Sequence, residues 1–172
     1  AMKEMGRQFV LGHTIDAALK RATDREAQGY TYSYDMLGEA AMTAQDAARY
    51  ATAYSDAIKA IAGACDKGST KANPGISIKL SALHPKYTFF HADAARAAMV
   101  PVIKALAVRA RDADIHFTID AEEAERLELS LDIIEELVAD DELFRRPDGS
   151  RWEGFGLAIQ AYQKRGIWAC DW

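Results

Sequence analysis

An α/β fold is predicted for this chain by three observations. Strand-like and helix-like segments alternate along it, and each strand-like run is joined to the next by a helical pattern long enough to cross over between parallel strands. Polar side chains also gather where strand-like runs give way to helical ones, at the edge where α/β sheets place their chemistry. With 172 residues, 49% of them apolar and 27% charged, the chain can bury one full core as a single domain.

The elements follow in order. Residues 14–28, TIDAALKRATDREAQ, read as a leading helix, with Ile15, Ala18, Leu19 and Ala22 at helical spacing behind a capping Thr14. The aromatic and hydroxyl-rich run 30–37, YTYSYDML, suits a strand. Thr43 with Asp46 resembles a capping box and opens a helix whose stripe is Ala47, Ala51, Tyr54, Ile58 and Ile61, ending before Lys67-Gly68. After the turn residues Asn73, Pro74 and Gly75, GISIKLSAL alternates, with Ile76, Ile78 and Leu80 on one face and Ser77, Lys79 and Ser81 on the other.

A helix is predicted over 93–111 from Ala95, Met99, Val102, Leu106 and Ala110, with Pro101 either kinking it or starting its main part. IHFTID (115–120) is the third strand. It leads into a helix striped by Ala124, Leu127, Leu131, Ile134 and Val138, whose positive end Glu122, Glu123 and Glu125 would suit. PDGSRWEG is a loop by composition, and GFGLAIQ (154–160) is the fourth strand.

Four strands separated by helices place Asp35, Glu39, Lys79, Asp120 and Gln160 around one mouth. An aspartate at such a junction equally serves as an N-cap, and Glu39 equally reads as a solvated first-turn acid. Lys79 is less easily explained away, because burying an ammonium costs several kcal/mol unless it is paired. Two chemistries fit Lys79 and Asp120. A lysine of lowered pKa could form a Schiff base with Asp120 as proton shuttle; a charged lysine could instead hold a substrate carboxylate while a cofactor does redox work.

Other classes are disfavoured. The net charge of -5 without a basic cluster gives no footprint for nucleic acid. Cys65 and Cys170 lie far apart, outside any C-x-x-C, and read as free thiols. His84 and His91 lack a ligand-spaced carboxylate, which argues against a metal site. The glycines of EGFGLAIQ spell neither a dinucleotide fingerprint nor a P-loop. No apolar run approaches the roughly 20 residues that cross a bilayer, and AMKEMGRQF lacks a signal-peptide core, so a cytoplasmic protein is expected.

YSYDMLGEAA, SIKLSALHPKY, IDAEEAERLELSLDI and GFGLAIQAYQKR, in this order, resemble the proline dehydrogenase domain of the bifunctional proline utilisation (PutA) flavoenzymes, from about Met5 to Arg165. The resemblance implies a distorted (β/α)8 TIM-type barrel with non-covalent FAD, which takes a hydride from C5 of L-proline to give 1-pyrroline-5-carboxylate and passes electrons to membrane quinone. It makes Lys79 the lysine beside the proline carboxylate and the flavin, and Asp120 the aspartate that orients charged partners near the flavin. Ala121 would pack on the isoalloxazine, Gln160 would hydrogen-bond the flavin ring, and Glu39 would form a gating ion pair with an arginine late in the barrel.

A full barrel takes roughly 250 residues, so the expected arrangement is a helical arm over 1–29, the first half of the barrel over 30–165, and an atypical tail, GIWACDW, over 166–172. The family's substrate-binding arginine pair and most FAD phosphate contacts would lie beyond it. Such a half barrel has open edges, so self-association, weak FAD binding and little activity alone are expected, with peripheral membrane association confined to a full-length enzyme. Beside proline dehydrogenase stand two other readings: a Schiff-base lyase using Lys79, and a non-catalytic half-barrel assembly module.

Overall fold

The computed structural model describes Gly6, residues 9–65 and residues 68–172. Lys67 and the first residues of the helical arm lie outside the described residues. Helix α1 (Ile15–Glu26) begins where Thr14 accepts a hydrogen bond from the Ala17 amide, and it buries Ala18 and Ala22. Strand β1 (Ser33–Asp35) is shorter than the predicted 30–37 and buries only Tyr34. Helix α2 (Ala44–Gly63) opens with the Thr43–Asp46 capping box and buries Ala47, Tyr54, Ala57, Ile58 and Ile61.

Strand β2 (Gly75–Ile78) is buried along its whole length. The predicted alternation stops there: Leu80–Ala82 form a buried 3-10 turn, so Leu80 and Ser81 do not continue the two strand faces. A second 3-10 turn, the exposed Phe89–His91, precedes α3 (Ala92–Asp112). This helix runs through Pro101, which faces solvent, and Ile103 and Ala107 are buried where the predicted stripe had the half-buried Val102.

Strand β3 (His116–Ile119) is followed by a 3-10 turn, Ala124–Arg126, before α4 (Leu127–Val138). The buried side chains of α4 are Leu129, Ile133, Ile134 and Leu137; of the predicted stripe only Ile134 is fully buried, and Val138 is exposed. A short α5 (Asp141–Phe144), absent from the sequence reading, brings Phe144 beside the buried Trp152. Strand β4 (Phe155–Leu157) and α6 (Gly166–Asp171) complete the described chain, so the tail residues form a short helix.

The sheet has the order β1-β2-β3-β4 with every pair parallel, the arrangement of successive units in a TIM-type barrel. Its register explains the site. Tyr34, Ile76, Phe117 and Phe155 stand side by side, as do Ile78, Ile119 and Leu157 in a row two residues further on. These rows join the core formed with α1 to α4, where Tyr54, Ile58, Met99, Ile103 and Ile133 are all buried. The period of two leaves Ser33, Asp35, Ser77 and Thr118 on the opposite face, a polar one, with Lys79 and Asp120 next in line. No described helix is long and apolar enough to cross a membrane.

Candidate functional site: a lysine between two carboxylates

Lys79 leaves β2 in extended backbone just before the 3-10 turn. Its backbone amide donates to the hydroxyl of Tyr54, a fully buried residue of α2, at 3.0 Å. The tyrosine thus acts as a peg that sets where the strand ends. Because Asp35 pairs with Ser77, Lys79 is its diagonal neighbour on the same face, and the ammonium reaches Asp35 Oδ1 at 2.6 Å. On the other side it reaches Asp120 Oδ2 at 2.9 Å. The Asp120 amide donates to the Ile78 carbonyl at 2.9 Å, continuing the ladder one residue past β3.

The lysine side chain is 17% exposed, Asp120 21% and Asp35 53%. Burial pushes the Lys79 ammonium down, but the hydrogen bonds and charges of the two carboxylates outweigh it and hold the group above the ordinary lysine value. Lys79 is therefore charged at neutral pH. That removes the lowered pKa on which the Schiff-base chemistry depended. It also settles the N-cap reading of Asp120, whose carboxylate is spent on an ion pair.

Glu39 is exposed and sits in the loop ahead of α2, not in a first helical turn; the first-turn acid is Asp46. It stands between Gly38 and Ala40, both of which have positive φ. A Cβ on Gly38 would come within 2.6 Å of the Tyr50 ring, so this stretch is closely packed on α2. Ser81 pins the loop, since its hydroxyl accepts from the Ala40 amide at 3.1 Å and its carbonyl from the Ala41 amide at 2.9 Å. The Ser81 amide in turn donates to Glu122 at 3.0 Å.

Glu122 does not sit on a helix dipole as expected. Burial raises its carboxyl above the ordinary glutamate value, against the pull of Ser81 and Arg126. It ties the end of β2 to the loop after Asp120, with Arg126 beside it and the Arg126 guanidinium 5.4 Å from the centre of the Tyr87 ring. Sequence reading missed this role, and also that of Tyr54, which passed as a member of an apolar stripe. A glutamate two residues past a strand end was the available signal for Glu122.

A cleft of about 360 Å³ opens at this edge, lined among others by Glu39, Lys79, Ala121, Gln160 and Tyr162. All the residues singled out from sequence are thereby within one region: Lys79 and Asp120 touch, while Glu39, Ala121 and Gln160 line the walls. Gln160 accepts from Gln163 at 3.0 Å. His84 accepts from the Lys86 amide and His91 is paired with Thr88, so both rings serve local turns. Cys65 is half-buried and Cys170 exposed.

The family model for proline dehydrogenase matches residues 18–172. The chain belongs to the proline dehydrogenase family. It is 49% identical over 172 residues to the bifunctional protein PutA of Klebsiella aerogenes, which covers all of this chain and 13% of that protein. With PutA of Salmonella typhimurium it shares 50% identity over 165 residues, 96% of this chain and 12% of the relative. The chain thus spans about an eighth of the length of these relatives.

Among solved structures, Bradyrhizobium japonicum PutA matches with a TM-score of 0.77 at 48% identity over 93% of this chain and 16% of its own. PutA from Bdellovibrio bacteriovorus matches with a TM-score of 0.85 over 98% of this chain and 18% of its own; at 19% identity it speaks for the fold alone. The tail residues 166–172 fall within the family match.

Proposed function

We propose that this chain supplies the lysine and aspartate end of an active site that oxidises L-proline to 1-pyrroline-5-carboxylate with FAD. The observation that carries the reading is the Lys79 ammonium held charged at the mouth of a parallel sheet, in a chain of the proline dehydrogenase family. A fixed cation at that place suits an amino-acid substrate that keeps its carboxylate throughout the reaction. Among the relatives, one PutA structure is described as having proline bound in remote sites.

The cleft residues fit a flavin. Ala121 offers an apolar face for a ring, while the Gln160 amide and the Lys79 ammonium offer hydrogen-bond donors to its heteroatoms. FAD, when bound, accepts the hydride from C5 of proline. The chain's own residues position and exclude. Lys79 attracts the substrate carboxylate and fixes its orientation, Asp120 holds Lys79 in place, and Glu39 stands on the exposed loop where an arginine partner could close the cleft over the substrate. Electrons would leave to a membrane quinone, from an enzyme working on the cytoplasmic side.

The test is to mix the purified chain with FAD, remove free flavin, and record the visible spectrum without oxygen before and after adding L-proline. A retained flavin band that L-proline bleaches carries the reading, and one that L-proline leaves unbleached overturns it. The open four-stranded sheet leads us to expect weak retention by this chain alone. In that case the same spectra are taken on the segment continued to the length of its relatives, with Lys79→Met raising the proline concentration needed for bleaching.

A further inference from the structure

Lys79 faces two carboxylates, and one cation between two anions leaves the group with a net charge of -1. A carboxylate ligand approaching Lys79 adds another negative charge to a space a few ångströms wide, where like charges strongly disfavour one another. The ammonium keeps a third N–H, so it is the repulsion among carboxylates, and not a lack of donors, that favours release of one present partner when a new anion arrives. The two partners are not equivalent.

Asp120 is 21% exposed, its amide is bonded to the Ile78 carbonyl, and it lies between β2 and the loop held by Glu122. Asp35 is 53% exposed, lies on the edge strand β1, and is the last residue of that strand before the loop to α2. A freed Asp35 carboxylate regains water at little cost, whereas a freed Asp120 carboxylate stays half enclosed. The register that makes Asp35 a diagonal neighbour of Lys79 also lets it swing outward without moving the sheet.

We infer that Asp35 is an exchangeable counter-ion: it holds the Lys79 ammonium in place while the site is empty and gives it up to the carboxylate of an arriving ligand, while Asp120 remains the fixed partner. The inference deepens the proposed function and rests on its premise that Lys79 receives a substrate carboxylate. It makes Asp35 a positioning residue that acts through Lys79. It also makes ligand affinity a competition: the same ion pair that pre-orients the lysine weakens the binding of every carboxylate.

The chain itself, without flavin, is labelled with a trace of an amine acetylating reagent. Acetylation of Lys79 is read by mass spectrometry against the exposed Lys59 on α2. Acetylation consumes the neutral amine, so Asp35→Asn, which removes one of two anionic partners, raises the Lys79 rate about tenfold. Sodium acetate then serves as the carboxylate probe. The concentration that half-protects Lys79 falls several-fold in Asp35→Asn, and falls less in Asp120→Asn. Asp35→Glu, which keeps the charge, returns both readouts toward wild type, as a merely structural role would not.

An unchanged labelling rate in Asp35→Asn, or a larger gain in acetate protection from Asp120→Asn, overturns the assignment. Because no flavin takes part, a failure of the flavin experiment beside a successful exchange result would sink the proline reading and leave the role of Asp35 standing.

Discussion

Lys79 is the residue whose environment sets the behaviour of the site. Its removal would leave Asp35 and Asp120 facing one another across a small space, a like-charge pair without the cation that now joins them. A fully buried pair loses about 3–5 kcal/mol when one partner is removed. Here Asp35 is half exposed and water shares the load, so Lys79→Met is expected to lower stability by about 1–3 kcal/mol, read as a shift in urea midpoint. An unshifted midpoint would mean that the ion pairs contribute nothing net.

Glu122 gives a second residue-scale expectation. Its carboxyl is raised by burial above the ordinary value of 4.5, so the folded chain holds that proton more tightly than the unfolded chain does. The stability from this group is complete below the unfolded value and is lost as pH rises through the folded one. Glu122→Gln does not titrate and keeps an oxygen for the Ser81 amide. It is expected to gain on wild type as pH rises past 4.5 and through the folded value, and parallel stability curves would contradict the burial argument.

At the scale of elements, α2 links the core to the site. Its stripe buries Ile58 and Ile61, and Tyr54 on the same face carries the hydroxyl that receives the Lys79 amide. The capping box at its start was legible because Thr43 and Asp46 have the spacing at which side chain and backbone satisfy each other's amides. Thr43→Ala should cost about 1 kcal/mol in thermal or urea unfolding without changing Lys79 labelling, since the cap is remote from Tyr54 along the helix. The face of α4 was misread because the helix carries two apolar runs: Leu127, Leu131, Ile134 and Val138 lie at helical spacing, and so do Leu129, Ile133 and Leu137, which with Ile134 are the ones buried.

For the whole molecule, an aromatic cluster closes one end of the core. Trp152 stacks on Phe144, meets Phe155 edge-on, and donates its indole N–H to the Ile115 carbonyl at 3.2 Å. Trp152→Ala should therefore destabilise the fold by about 3–5 kcal/mol, the usual cost of emptying a large aromatic site, and a loss under 1 kcal/mol would show that neighbours collapse into the space. The sheet leaves β1 and β4 as edges, and Leu37, Met42, Phe89, Phe90 and Trp168 are largely exposed, Phe90 at 93%. We expect the chain to self-associate at micromolar concentration, with light scattering or gel filtration as the measure. A compact monomer would count against this.

What could be read along the chain was what depends on neighbours close in sequence: the alternation of strands and helices, the caps at Thr14 and Thr43, the buried faces of α1 and α2, and the suspicion attached to a lysine among isoleucines. Period and capping are short-range properties, and they survive being read one residue at a time. The partners of Lys79 were named as residues of one mouth, but the division of one ammonium between Asp35 and Asp120 depends on the register of three strands. So does the tie from Glu122 to Ser81, which spans 41 positions. Those contacts come from how parallel strands align once Ile76, Ile78, Phe117 and Ile119 are buried together, and no local pattern encodes that alignment.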